Sequence, residues 1–138
     1  MNVFPFKSIA IIGAGSWGTA LALLLQDNGA NVAVWGHDSE AISQVQSLRE
    51  NRVYLPGVKL PAAIRFTSDI DSIHTADLVV LVTPSRAMRE IASRLGTVGL
   101  QKDAVLLSCT KGVERGSGLR MSEILAETLP GHPIAVLS

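Results

Sequence analysis

The apolar run Ile9–Ile12 (I-A-I-I) passes straight into G-A-G-S-W-G at Gly13–Gly18, and from there into the Ala/Leu-rich stretch T-A-L-A-L-L-L-Q. No other feature restricts the fold as much. A continuous apolar run of this length suits a strand buried on both faces. Ala and Leu are strong helix formers, so a helix is expected from Trp17 to about Asn28, with Gly29 where a C-terminal capping glycine belongs. The glycines between strand and helix keep the spacing G-x-G-x-x-G. Alone that is a weak signal; between a strand and a helix it is a dinucleotide-binding fingerprint. Gly13 permits the tight turn, Gly15 leaves no Cβ in the path of a pyrophosphate, and Gly18 lets the helix lie close to the strand. The N–H groups of Ser16 and Trp17 and the helix dipole then face the phosphates. A P-loop would end in G-K-[ST]; Thr19 follows Gly18 with no lysine, which argues against nucleoside triphosphate hydrolysis.

The rest of the chain repeats the alternation. Strands are expected at Val32–Trp35, weakly at Ile64–Phe66, at Leu78–Val82, Ala104–Leu107 and Ile134–Leu137. Helices are expected at Ser39 to about Arg49, where Ile42, Val45 and Leu48 recur at helical spacing, at Arg86–Leu95 with Ser85 as its cap, and at Met121–Leu129, stopped by Pro130. Asn51–Pro61, with two prolines and a glycine, reads as a loop. Strand and helix in this order imply an α/β fold with a doubly wound parallel sheet and right-handed crossovers, a Rossmann domain over residues 1–138.

Composition supports this and removes other classes. The 47% apolar share suits a sheet covered on both faces, and zero formal net charge without a basic run gives no pull toward nucleic acid or an anionic membrane. The single Cys109 excludes an internal disulfide and a multi-Cys metal site, so no metal is expected, and the residue reads as small and buried. The N-terminal M-N-V-F-P-F-K-S is unlike an export signal, and no run approaches membrane-spanning length, so a cytoplasmic protein is expected. His74 and His132 read as surface residues.

Cofactor choice turns on the end of the second strand. An NAD-selective domain places an acidic residue there for the ribose 2′-hydroxyl. Here Trp35 is followed by Gly36 and His37; Asp38 comes next and has two readings, on the ribose or as the cap of the following helix. His37 can donate to a 2′-phosphate. The expectation is NAD(P), with NADPH preferred.

Three later segments narrow the reading: N-R-V-Y-L-P-G-V-K-L-P from Asn51, V-T-P-S from Val82, and T-K-G-V-E from Thr110. With G-A-G-S-W-G-T-A-L-A and V-W-G-H they make the chain resemble, in order and along essentially its whole length, the N-terminal domain of bacterial NAD(P)-dependent sn-glycerol-3-phosphate dehydrogenases. The resemblance implies reversible hydride transfer between a nicotinamide and the dihydroxyacetone phosphate/glycerol 3-phosphate pair, which supplies the backbone of glycerophospholipids. It implies that Ser16 and Trp17 meet the pyrophosphate, His37 the adenosine ribose, that Tyr54 flanks the cofactor, and that Lys111 touches both cofactor and substrate.

The glycine turn, His37, Pro84 and Lys111 all fall at carboxyl ends of strands, where open α/β sheets bind ligands. There the Lys111 cation can stabilise a phosphate or a developing alkoxide. The family continues past V-L-S into a helical domain that supplies the lysine general base and most phosphate contacts. The chain is therefore expected to be the cofactor half of a truncated enzyme, its C-terminal helical substrate domain missing, that binds and hardly catalyses. The implied partner is a small-molecule substrate, with a homodimer as the candidate assembly. The 6-phosphogluconate and ketopantoate dehydrogenase types share the fold and the glycine turn, but the N-x-x-Y-L-P-G and K-G segments argue against them. A non-catalytic dinucleotide-sensing domain would need no lysine at the fifth strand.

Overall fold

The computed structural model describes residues 5–138. The reading of the N-terminal segment as free of an export signal rests partly on residues 1–4, which lie outside the described residues. Six strands form one sheet: β1 (Ser8–Ile12), β2 (Asn31–Trp35), β3 (Arg65–Thr67), β4 (Leu78–Leu81), β5 (Val105–Ser108) and β6 (Ile134–Val136). Their order is β3-β2-β1-β4-β5-β6, and every pairing is parallel. The helices are α1 (Ser16–Asp27), α2 (Ser39–Leu48), α3 (Met88–Val98) and α4 (Met121–Thr128). The doubly wound Rossmann sheet expected from the alternation is the sheet observed.

Both faces are covered, which is why the central strands carry no polar alternation. On one face Ile9, Ile11, Val32, Val34 and Val80 pack against Leu21 and Ala22 of α1 and Ile42 and Val45 of α2. On the other, Ala10, Ile12, Val79, Leu81 and Leu106 meet Ile91 and Leu95 of α3 and Ile124 and Leu125 of α4. Among the described residues no helix is long and apolar enough to cross a membrane.

Several local expectations change. Ser85 does not cap α3. Residues Ser85–Ala87 form a 3-10 turn, the Ala87 N–H donates to the Pro84 carbonyl (3.0 Å), and neither that turn nor α3 has a side-chain cap. Pro84, in extended backbone (ψ 145°), redirects the chain before a full helical turn can form. Of the two readings of Asp38, the cap of α2 is seen: its Oδ1 accepts from the Glu40 and Ala41 N–H groups, both at 3.1 Å. Cys109 is only half-buried, and burial pushes its thiol pKa up. His132 is half-buried, with Nδ1 3.0 Å from the Ala104 carbonyl oxygen.

The sheet order reverses between β1 and β4, and their carboxyl ends diverge there into the glycine turn and the Val82–Ser85 segment. Two glycines make this crossing possible. Gly13 has φ 128°, and a Cβ on it would stand 2.5 Å from the Val82 carbonyl oxygen. A Cβ on Gly18 would fall on the Gly13 carbonyl oxygen, inside any distance that atoms tolerate. Gly18→Ala is therefore expected to destabilise the chain by about 1–3 kcal/mol, the usual cost of overpacking. Urea denaturation followed by far-ultraviolet circular dichroism measures it, and a loss below ~0.5 kcal/mol, the range of a neutral surface change, would contradict the packing described.

Candidate functional site

A cleft of about 860 Å³ opens at the reversal point. The glycine turn lines it with Gly13 and Gly15, the end of β2 with Trp35, Gly36 and His37, and the end of β4 with Thr83 and Pro84. The loop after α2 adds Asn51 to Tyr54, and α3 adds Ile91 and Arg94. Its size and its mostly apolar walls with a few convergent polar groups suit a large organic ligand.

Beside the cleft lies the start of α1. The N-cap is Gly15, with no side-chain cap and no acidic residue in the first turn, so no group of the helix itself neutralises the partial positive charge there. Thr19 donates through Oγ1 to the Gly15 carbonyl (2.7 Å), and its N–H donates to the same oxygen (3.0 Å), which fixes the turn. Open space surrounds the Gly15 Cα, with nothing within 4 Å of where a Cβ would stand.

Asn51 ties the neighbouring loop to this turn. It is 2% exposed and uses both ends of its amide. Nδ2 donates to the Ala14 carbonyl (2.9 Å) and to Thr19 Oγ1 (3.0 Å), while Oδ1 accepts from the Tyr54 N–H (3.2 Å). At the base of the loop, Arg49 donates through Nη1 to the Pro61 (3.1 Å) and Ile64 (2.6 Å) carbonyls. Tyr54 is thereby held beside the cleft with its ring 58% exposed, available to a ligand rather than spent on core packing.

The charged lining is mixed. His37 and Arg52 are exposed. Asp38 also lines the cleft and caps α2 through Oδ1, and Glu50 accepts from the Gly57 N–H (3.1 Å) and lies 3.7 Å from Arg52. Trp35 is 2% exposed, donates through Nε1 to the Ser68 carbonyl (3.1 Å), and carries the Arg94 guanidinium 5.2 Å from its ring centroid. Thr83 is 6% exposed, and its Oγ1 is a buried hydroxyl without a protein partner.

The structure thus brings Gly13, Gly15, His37, Tyr54 and Pro84 into one cleft. Ser16 and Trp17 lie at the exposed start of α1, outside its lining, with Trp17 52% exposed. Gly18 is buried under the turn. Lys111 is not in the cleft. It borders a separate shallow depression with Ser108, Thr110, Arg120 and Ser122, at the carboxyl ends of β5 and β6. The sequence motifs contain Asn51 and Thr83 without assigning either a task, and they do not include Arg89 or Arg94. Asn51 heads a loop motif, which is a signal. The partner of Asn51 lies 37 residues away at Ala14, and a single sequence does not show that pairing.

Comparison with known proteins gives the same direction. A family model described as NAD-dependent glycerol-3-phosphate dehydrogenase N-terminus matches residues 8–138. The glycerol-3-phosphate dehydrogenase (NAD(P)+) of Bacillus subtilis (strain 168) is 44% identical over 136 residues, covering 96% of this chain and 39% of that protein. The crystal structure of glycerol-3-phosphate dehydrogenase from Coxiella burnetii matches with a TM-score of 0.87 at 34% identity, over 94% of this chain and 40% of that one. A ketopantoate reductase from Ralstonia eutropha JMP134 matches with a TM-score of 0.73 at 22% identity, over 94% of this chain and 40% of that one, and shares the fold alone. The chain spans about two fifths of the length of these relatives.

Two substitutions separate scaffold from binding surface. Gly15→Ala meets open space and is expected to leave stability within about 0.5 kcal/mol of the parent while weakening dinucleotide binding at least about tenfold, because the added methyl stands where phosphate approaches. Equal affinity in isothermal titration would show that no phosphate approaches there. Asn51→Ala removes the donor to the Ala14 carbonyl and the acceptor of the Tyr54 N–H, and leaves Thr19 Oγ1 only its bond to Gly15; it is expected to cost about 1–3 kcal/mol, measurable as a lowered denaturation midpoint.

Proposed function

The chain belongs to the NAD-dependent glycerol-3-phosphate dehydrogenase family as its N-terminal domain, and on that premise we propose that it holds the nicotinamide dinucleotide for an enzyme interconverting dihydroxyacetone phosphate and sn-glycerol 3-phosphate in the cytoplasm. The observation that carries this reading is the uncapped start of α1 opening beside the cleft at the sheet's reversal point. A pyrophosphate there accepts from the Ser16 and Trp17 N–H groups, with Gly15 leaving room for it. The adenosine half extends toward His37 and Tyr54, and the nicotinamide half toward Pro84 and the β5 end, where Lys111 meets cofactor and substrate.

When bound, the dinucleotide supplies or accepts the hydride. This chain's residues orient it: the turn fixes its phosphates, and the walls of α2 and α3 shield it from water. Lys111, a cation at the β5 end, stabilises negative charge on the carbonyl oxygen as it becomes an alkoxide. NADPH is the preferred form. Asp38 gives one carboxylate oxygen, Oδ1, to the α2 cap, while His37 and Arg52 line the same cleft as donors for a 2′-phosphate.

Trp35 lies in the cleft wall, so tryptophan emission reports on it. Titration of the folded chain with NADPH and NADH is expected to give saturable quenching, tighter for NADPH, and His37→Ala is expected to remove the difference. Absence of saturable quenching by either, with near-ultraviolet circular dichroism confirming a folded chain, overturns the reading. In a full-length protein carrying this segment, NADPH oxidation is expected with dihydroxyacetone phosphate and not with ketopantoate.

A further inference from the structure

Lys111 is exposed and makes no ion pair among the described residues. Its backbone is nonetheless held from both sides. On the strand side, the Cys109 N–H donates to the Leu81 carbonyl (2.9 Å) and Thr110 Oγ1 donates to the Thr83 carbonyl (2.7 Å), so the chain is tied to the end of β4. On the far side, Val113 pairs with Arg120 in an isolated bridge, the Glu114 N–H donates to the Leu119 carbonyl (2.8 Å), and the Gly118 N–H donates to the Glu114 carbonyl (2.9 Å). Only Lys111 and Gly112 span the gap between these anchors. Gly112 backs onto Ser85: a Cβ there would stand 3.5 Å from the Ser85 Cβ.

The far anchor is itself fastened to α3. Arg89 donates to the Glu114 carboxylate through Nε (2.7 Å) and Nη2 (2.9 Å), and through Nη1 to Glu127 of α4 (3.1 Å). Ser117 Oγ adds a donor to Glu114 at 2.6 Å. Isolated surface ion pairs contribute little, but a two-pronged Arg–carboxylate pair within a network fixes geometry. Arg89 follows Met88, which is fully buried, so the guanidinium rises from a rooted helix start. That start continues directly from Pro84–Ala87, three of whose four residues line the cofactor cleft.

We infer that Arg89 and Glu114 are positioning residues for Lys111: their ion pair holds the Lys111–Gly112 span at a fixed place relative to the cofactor cleft, and it occupies the nearby carboxylate so that the lysine ammonium stays free for an anionic substrate. The inference rests on the reading of Lys111 as the contact to cofactor and substrate. Arg89, with Ser117, holds the Glu114 carboxyl down at about 2. With the folded value depressed, the pair's contribution is complete above the ordinary carboxylate value of ~4.3 and disappears only as pH falls through about 2, so it is intact at any assay pH near neutrality.

The test uses Glu114→Gln, with Glu114→Asp as the conservative variant, in a full-length protein carrying this segment. Hydrogen exchange read by mass spectrometry is expected to quicken at least tenfold in residues 109–120 and to stay unchanged in β1, β4 and α1. Dihydroxyacetone phosphate is expected to show a KM raised about tenfold and a lowered kcat, the scale of a small misplacement of a reacting group. Dinucleotide affinity is expected to fall far less than the KM rises, since the glycine turn is untouched and only the Lys111 contact is loosened, and Glu114→Asp is expected to recover part of the KM. Unchanged exchange in 109–120 overturns the inference. So does a loosened segment with unaltered KM and kcat, or a uniform rise in exchange with dinucleotide affinity lost in parallel. A wild-type protein that binds dinucleotide and does not turn over dihydroxyacetone phosphate defeats the proposed substrate instead, and the exchange measurement then decides the positioning role alone.

Discussion

The carbonyl oxygen of Gly13 is the point on which the architecture closes. It lies where any side chain on Gly18 would have to stand, so α1 can rest against the end of β1 only while position 18 carries no Cβ. Gly13 is pressed from the other side by the Val82 carbonyl, and its N–H donates to the Trp35 carbonyl at 2.9 Å. One turn is thus in contact with the ends of β2 and β4 and with the first turn of α1. Close packing here produces both the fold and the opening: with helix and strands drawn together below the turn, the uncapped N–H groups are left facing outward above it.

How much of this could be read from the residues depends on the range of the interaction. The continuous apolar runs I-A-I-I and L-V-V-L located buried parallel strands because a parallel sheet covered on both faces leaves no polar alternation. The glycine spacing located the tight strand-to-helix turn because each glycine answers a local steric demand. Ser85 is a competent cap only in local terms; with Pro84 extended before it, the chain makes a 3-10 turn there instead. That Asp38 caps α2 needed coordinates. Asn51 with Ala14, and Arg89 with Glu114, are pairs that only the folded path of the chain brings together.

The carboxyl edge of the sheet divides into two territories. The cleft between the ends of β2 and β4 gathers His37, Tyr54 and Pro84, and the depression at the ends of β5 and β6 gathers Lys111 and Arg120. They are joined at the ends of β4 and β5: the Cys109 N–H donates to the Leu81 carbonyl, and the Thr110 hydroxyl donates to the Thr83 carbonyl. A ligand whose two ends differ in chemistry can span such an edge, one end held by backbone N–H groups and the other brought beside an exposed cationic side chain on a hydrogen-bonded main chain.

Asn51 carries a consequence for how the cleft responds to occupancy. Its one amide group joins the turn at Ala14 and Thr19 to the loop at Tyr54, so neither can shift without breaking a buried hydrogen bond. A displacement of the loop is therefore transmitted to the turn, and a ligand that holds the turn also restrains the loop through that amide, although it need not touch most of it. Conversely, whatever stiffens residues 52–57 steadies the turn at the far end of the amide.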